Sequence, residues 1–86
     1  MDSGDAAVRF SIGRRRARLI ILADDAAVRT KEAFGRLARE AGIPLRLYGT
    51  KDNLGRILGK PARSVLAITG ESLARGVVKA MERGES

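Results

Sequence analysis

The sequence contains no cysteine, no histidine and no tryptophan. Without cysteine the chain has no disulfide and no thiolate metal site. Without histidine it lacks the commonest general base and metal ligand at neutral pH. No apolar run approaches the roughly 18 residues of a membrane span, and no signal peptide is recognisable. We therefore predict a cytoplasmic protein that carries no metal or other cofactor and does not enter a membrane.

Aromatic residues are also scarce, at 3% of the chain, and comprise Phe10, Phe34 and Tyr48. The core must therefore be built from leucine, isoleucine, valine and alanine, which keep the hydrophobic content at an ordinary 44%. The 86 residues suffice for one small core, so we predict a single domain over residues 1–86.

Positive charge is what the sequence has in excess. Seventeen lysine and arginine residues against ten acidic ones give a net charge of +7. Such an excess on a small surface attracts polyanions, and it favours nucleic acid as the partner over an anionic membrane surface. Most of the cations are arginines, which suits bidentate contacts with phosphate.

The continuous apolar run Leu19–Ala23 predicts a central strand covered on both faces. Two further strands are predicted at 45–48 and 64–69. Helices are predicted from Gly4-Asp5 to Gly13 with Ser3 as cap, from about Thr30 to Ala41, after Thr50 as cap, and from about Ser72 to Arg83. The predicted buried faces of these helices are Val8 and Ile12; Phe34, Leu37, Ala38 and Ala41; Leu54, Ile57 and Leu58; and Leu73, Val77, Ala80 and Met81.

This alternation of strands and helices predicts an α/β fold, a three-layer α/β/α sandwich around a small, mainly parallel or mixed sheet. Three strands are few for such a sheet. Either a short strand lies in the first residues, or the N-terminus has been trimmed.

Two short patterns suggest catalysis but fail on their details. Gly55–Pro61 has three residues between its glycines instead of the four of a phosphate-binding loop, and Pro61 replaces the magnesium-binding Ser or Thr. Asp24 and Asp25 follow the central strand, but neighbours in an extended chain point to opposite sides, which favours a turn or helix-cap role. We predict that the protein is not an enzyme.

The basic residues fall into two groups, one around the first helix and its exit and one before the last strand. A solvated basic surface without a specific role is one interpretation. The other is an RNA-facing surface on which arginines hold phosphates and glycine backbone approaches closely, with recognition by shape. So few aromatic residues count against a base-stacking platform of the RRM or cold-shock type.

Three segments carry a resemblance to a known family: Leu19–Asp25, Gly49–Gly55 and Gly59–Ile68. Together they resemble the L-seven-Ae / L-thirty-e ribosomal protein family, in particular its small bacterial members, over nearly the whole chain from Gly4 onward. The resemblance implies an α/β/α sandwich that binds kink-turn RNA, a sharply bent helix. It also implies two RNA-binding elements, the glycine-initiated start of the first helix, Gly4–Ala7, and the loop before the last strand, Gly59–Ser64.

The sequence departs from this family in two places. Many members have an Asn-Glu pair and a following Lys where this chain has Ala6, Ala7 and Phe10, which leaves Arg9 and the backbone near Gly4 for RNA contact. Members usually have another helix and a short strand before the Gly4 position. The chain is thus expected to be a trimmed form or a minimal variant, with an unpaired edge on its last strand if that strand is missing.

We predict a non-catalytic, ribosomal-type protein that binds kink-turn or similarly bent structured RNA, with ribosome association as a further expectation. The alternatives are an RNA-targeting domain of an RNA-modifying enzyme such as a methyltransferase, and a small enzyme using Asp24 and Asp25. The arginine-rich first segment and the Gly59–Ser64 loop are expected to lie side by side. The predicted RNA-binding residues are Gly4, Asp5, Arg9, Arg14, Arg15, Arg16, Lys51, Gly59, Lys60, Ala62, Arg63 and Ser64.

Overall fold

A computed structural model of the protein describes residues 1–82, with side chains described up to Ala80. Strands and helices alternate along this part of the chain. Their order is β1 (Asp2–Ser3), α1 (Asp5–Gly13), β2 (Leu19–Leu22), α2 (Val28–Ala41), β3 (Leu45–Leu47), α3 (Lys51–Leu58), β4 (Val65–Ile68) and α4 (Glu71–Glu82). Within residues 1–82, no helix is both long enough and apolar enough to cross a membrane.

The four strands form one mixed sheet in the order β1-β4-β2-β3. β2 pairs with β3 in parallel and with β4 in antiparallel orientation. β1 pairs antiparallel with β4, with Ser3 opposite Leu66. The first residues therefore contain the short strand that the sequence left as one of two possibilities. The outer edge of β4 is therefore paired, because two residues of backbone are enough to bond to it.

Helices cover both faces of the sheet, which confirms the α/β/α sandwich. Alternate residues of β2 enter two separate clusters, since successive strand residues point to opposite faces. Ile20 and Leu22 pack with residues of α1 and α2, including the fully buried Phe34. Leu19 and Ile21 pack with residues of α3 and α4, including Leu54. All four residues of β2 and of β4 are buried, as expected for strands covered on both faces.

Helix boundaries and buried faces differ from prediction at several positions. Ser3 belongs to β1, and Gly4 takes the cap position of α1. Val8, Ile12, Phe34, Ala38 and Leu54 are buried as predicted. Ala41 is exposed, because the last turn of α2 extends past the core.

Ile57 and Leu73 were wrongly predicted to be buried, since they are 65% and 52% exposed. Short α3 contacts the sheet through Leu54, with Leu58 half-buried beside it. In α4 the inward face is rotated by about one residue, so Ala74, Val77 and Val78 pack on the sheet instead of Leu73. Ala80 is half-buried. The predictions for the Met81 side chain and for Arg83 lie outside the described part of the chain.

The two ends of the sheet carry different parts of the helices. At one end β1, β2 and β3 finish and β4 begins, so Gly4, Ala23, Tyr48 and Val65 are close together; we call this the upper end. α1, α2 and α3 each start there, because each follows a strand that finishes there. At the lower end β2 and β3 begin and β4 finishes, and α1 and α2 terminate.

Candidate nucleic-acid interface

The start of α1 is an open helix N-terminus at the upper end. Gly4 has φ 90°, a conformation that favours glycine, and its N–H donates to the carbonyl oxygen of Val65 at 3.1 Å. As the cap residue it has no side chain to accept hydrogen bonds from the first turn. The amides of Asp5, Ala6 and Ala7 therefore keep the partial positive charge of a helix N-terminus, which favours an anion.

The loop from Gly59 to Ser64 turns back along α3 and returns the chain to the upper end. Gly59 has φ 68° and caps α3 at its C-terminus. The N–H of Lys60 donates to Gly55 at 2.9 Å, and the N–H of Arg63 donates to Lys51 at 3.0 Å. The carbonyl oxygen of Ser64 accepts from Ala23 at 2.8 Å. Backbone hydrogen bonds to α3 and β2 thus fix where this loop lies.

Gly55 determines how closely this loop approaches α3. It is a buried residue inside the helix, and a Cβ atom added there would overlap the backbone carbonyl of Pro61. The overlap is with backbone, so rotation of a flexible side chain cannot relieve it. Only glycine at this position lets the loop lie against α3 as it does.

Two polar interactions hold the start of α3 under the same loop. Thr50 and Asn53 form a reciprocal capping box, in which the Thr50 hydroxyl accepts from Asn53 N–H at 3.1 Å. The carboxylate of Asp25 accepts from Lys51 N–H at 2.8 Å. The prediction that the Asp24-Asp25 pair serves a turn or helix cap is confirmed for Asp25.

An open cleft of about 580 Å³ separates the start of α1 from the end of the loop. Arg63 closes one side, where its Nε donates to the Ser3 hydroxyl at 3.4 Å and a terminal nitrogen donates to the carbonyls of Pro61 and Ala62 at 3.2 Å each. These contacts hold the guanidinium at the cleft. The lining residues are Ser3, Gly4, Asp5, Ala6, Ala7, Thr30, Ala62, Arg63, Ser64 and Val65.

Arg9 lies one turn of α1 beyond the cleft. Its Nε is 2.6 Å from an Asp5 carboxylate oxygen, and its guanidinium lies 5.0 Å from the centre of the buried Phe34 ring. The side chain is still about half exposed, so the cation remains accessible from solvent. Ring and carboxylate together fix the orientation of the Arg9 guanidinium.

Apart from the arginine run 14–16, the predicted site residues fall into three sets. Gly4, Asp5, Ala62, Arg63 and Ser64 line the cleft. Arg9 and Lys51 adjoin it, since Arg9 pairs with Asp5 and the Lys51 carbonyl accepts from Arg63 N–H. Gly59 and Lys60 donate backbone hydrogen bonds to the last turns of α3 and do not line the cleft.

The arginine run 14–16 does not lie beside the loop, contrary to the expected position. These three residues follow the C-terminus of α1, where backbone N–H groups of 15 and 16 donate to Ile12 and Ser11. Nine residues of helix separate this turn from Gly4, about 13 Å along the axis. The expectation was wrong because α1 extends downward from the cleft and places its exit at the lower end.

Thr30 and Gly55 shape the cleft but were not predicted from the sequence as site residues. Thr30 lines the cleft from α2, whereas Ala6 and Ala7 belong to the helix start Gly4–Ala7 that the resemblance implied as an RNA-binding element. Gly55 was available as a signal, because a glycine inside a helix often marks close backbone packing. Thr30 gave no such signal, since its position depends on how α2 crosses the sheet.

The comparisons with known proteins agree with this fold. A sequence profile of the ribosomal protein L7Ae/L30e/S12e/Gadd45 family matches residues 4–78. The RNA-binding protein YlxQ of Bacillus subtilis (strain 168) is 29% identical over 80 residues, 93% of this chain and 80% of that protein. A solved structure of a protein with unknown function from Bacillus halodurans C has a TM-score of 0.90 at 25% identity, covering 94% of this chain and 82% of its own.

These matches confirm the resemblance that was predicted from the strand and loop segments. The profile runs from the cap residue of α1 into α4 and so includes both walls of the cleft. The chain belongs to the ribosomal protein L7Ae/L30e/S12e/Gadd45 family.

Proposed function

We propose that this protein is a single RNA-binding domain that recognises a kink-turn or similarly bent RNA through the cleft at the upper end. Membership of a ribosomal protein family and similarity to an RNA-binding protein support RNA as the partner. The protein acts by holding a bent RNA, without catalysis. Its place of action is the cytoplasm, in association with ribosomal RNA or another structured RNA.

The observation that carries this proposal is that two segments of the protein backbone, the start of α1 and the end of the loop, meet around one cleft. The hydrogen bond from Gly4 N–H to Val65 places the open amides of α1 directly beside Ala62, Arg63 and Ser64. A phosphate at the helix start meets both the amide dipoles and the Arg63 guanidinium. Such a surface favours an RNA in which two stretches of the phosphate backbone converge, as they do in a sharply bent RNA.

The alanine side chains that line the cleft favour recognition of shape over reading of base edges. Ala6, Ala7 and Ala62 offer no polar groups beyond the backbone, and Gly4 leaves the backbone open to close approach. Base-edge reading needs donors and acceptors on side chains, whereas phosphate contacts position a nucleic acid without reporting its sequence. The proposal therefore predicts strong dependence on RNA bending and weak dependence on base identity.

A gel-shift titration against a kink-turn RNA and its straightened mutant tests this function. We expect clear preference for the bent RNA at physiological salt, with affinity falling as salt rises. Arg18→Gln protein serves as the control for net charge, because it lacks one positive charge at the lower end. Equal affinity for both RNAs would show that the protein binds RNA only as a nonspecific polycation.

A further inference from the structure

Phe10 has an unusual position among the aromatic side chains. Phe34 is fully buried and Tyr48 packs half-buried against the core, but Phe10 is 58% exposed on the outer face of α1. Its ring is not needed by either hydrophobic cluster. Single exposed apolar residues are common on protein surfaces, so exposure alone assigns no role to this ring.

Two further observations distinguish Phe10 from the exposed aliphatic side chains. The Arg14 guanidinium lies 5.2 Å from the centre of its ring, so one face of Phe10 is covered by a cation. Ala6, Phe10 and Arg14 also follow at intervals of four and share one face of α1. Ala6 lines the cleft, which places the ring about 6 Å farther along the helix axis.

The surroundings of the ring are basic. Arg9, Arg14, Arg15 and Arg16 are all exposed within two turns of it, and the carboxylate of Asp5, at the start of the same helix, already pairs with Arg9. Within the described residues, Arg14, Arg15 and Arg16 form no ion pair with a carboxylate. A polyanion that brings a flat, apolar group fits this surface better than an apolar protein helix, because phosphates occupy the guanidinium groups while the flat group covers the ring.

We infer that Phe10 and Arg14 form a stacking site for an unpaired RNA base, adjoining the cleft along α1. The inference rests on the proposed function, because an RNA held in the cleft presents its flanking nucleotides to this face of the helix. Arg14 supports the ring and meets the adjacent phosphate, and the base stacks on the exposed part of Phe10. The chemistry selects any unpaired base, with purines favoured by their larger surface.

The experiment compares two RNAs that differ only in an unpaired segment. One is a blunt-ended kink-turn RNA, and the other carries a short single-stranded extension containing 2-aminopurine on one stem, with each stem tested in turn. We expect the extension on one stem to tighten binding by the wild type about tenfold and to quench the 2-aminopurine fluorescence. Phe10→Leu is expected to abolish both effects without weakening the blunt RNA, and Phe10→Trp is expected to preserve both.

Ile57→Ala is the matched control, since Ile57 is another exposed apolar side chain but lies on α3. It should leave the gain from the extension unchanged. The inference is overturned if neither extension strengthens wild-type binding, if Phe10→Leu keeps the gain, or if Phe10→Leu weakens both RNAs equally. It is also overturned if Phe10→Leu changes only the oligomeric state in sedimentation, which would assign the ring to a contact between copies.

A parallel titration separates failure of this inference from failure of the proposed function. A single-stranded 2-aminopurine oligonucleotide, with no bent element, is added to wild type and to Phe10→Leu at low salt. Quenching by the wild type alone supports the stacking site even where bent RNA is not preferred over straightened RNA. Preference for bent RNA without any quenching leaves the proposed function intact and removes the stacking site.

Discussion

Positive charge at the two ends of the sheet has different sources. At the upper end, three helices start and the amides of α1 have no side-chain cap. At the lower end, α1 and α2 terminate, and the longest run of arginines follows the last turn of α1. Cations beside helix C-termini stabilise exposed carbonyl groups and the helix dipole. A dense arginine run there does not by itself mark the site in the cleft, and backbone geometry marks that site more clearly than charge density does.

The largest effect that separates the two ends is expected from Gly55→Ala. The added methyl group overlaps the Pro61 carbonyl, so the loop must move away from α3. We expect a loss of roughly 1–3 kcal/mol in the free energy of unfolding and a marked loss of affinity for bent RNA. Urea denaturation and gel-shift titration measure the two effects.

The control for this substitution is Gly35→Ala in the middle of α2, where an added Cβ has no neighbour within 4 Å among the described residues beyond its own helix backbone. It should raise stability by about 0.5–1 kcal/mol, since alanine is the better helix former, and leave RNA affinity unchanged. Gly55→Ala protein with wild-type affinity would show that the close approach of the loop to α3 is not needed for binding.

Arg63→Gln is expected to have the next largest effect. It removes the guanidinium held at the cleft by the Ser3 hydroxyl and the loop carbonyls. Affinity should fall for every bent RNA, and the slope of log K against log salt should flatten by about 0.7–0.9 for one lost phosphate contact. Filter binding over a salt series gives both quantities.

Arg18→Gln provides the matched change of charge at the lower end, where the Arg18 backbone N–H donates to Ile68. Arg63→Gln and Arg18→Gln each lose one unit of positive charge, so any difference in RNA affinity between them reports position and not net charge. Equal losses for the two variants would remove the distinction between the ends.

Asp25→Ala tests the support beneath the cleft. The substitution removes the acceptor of the Lys51 N–H and should lower stability by about 1 kcal/mol, the usual cost of a lost helix cap. Asp24→Ala is the control, because it makes the same change of charge one residue away. We expect Asp24→Ala to stay within about 0.5 kcal/mol of wild type. Thermal unfolding at one pH and salt concentration measures both variants.

The sequence predicted the layers of the fold better than it predicted the site. Continuous apolar runs at β2 and β4 are enough to indicate strands covered on both faces. β1 was only one of two possibilities, since two polar residues carry no periodicity and pair through backbone alone. The position of Arg14–Arg16 was missed because charge along a chain does not show which end of a helix faces which loop. Cap geometry at Gly4 depends on a contact with Val65, about 60 residues away, which no local pattern encodes. Gly55 did carry a local signal, a glycine inside a helix, which the prediction did not use.

The smallest expected effect is a gain in RNA affinity, in contrast to the losses expected for Gly55→Ala and Arg63→Gln. Asp5→Asn removes a negative charge from the cleft and releases Arg9 from its ion pair, so affinity for bent RNA should rise a few-fold, most clearly at low salt. Stability should fall by only a few tenths of a kcal/mol, as for exposed pairs at this spacing. Glu71→Gln breaks the equivalent pair with Arg75 at the lower end and serves as the control. If both variants tighten RNA binding equally, the gain comes from net charge. If only Asp5→Asn does, RNA phosphates compete with Asp5 for Arg9 at the start of α1.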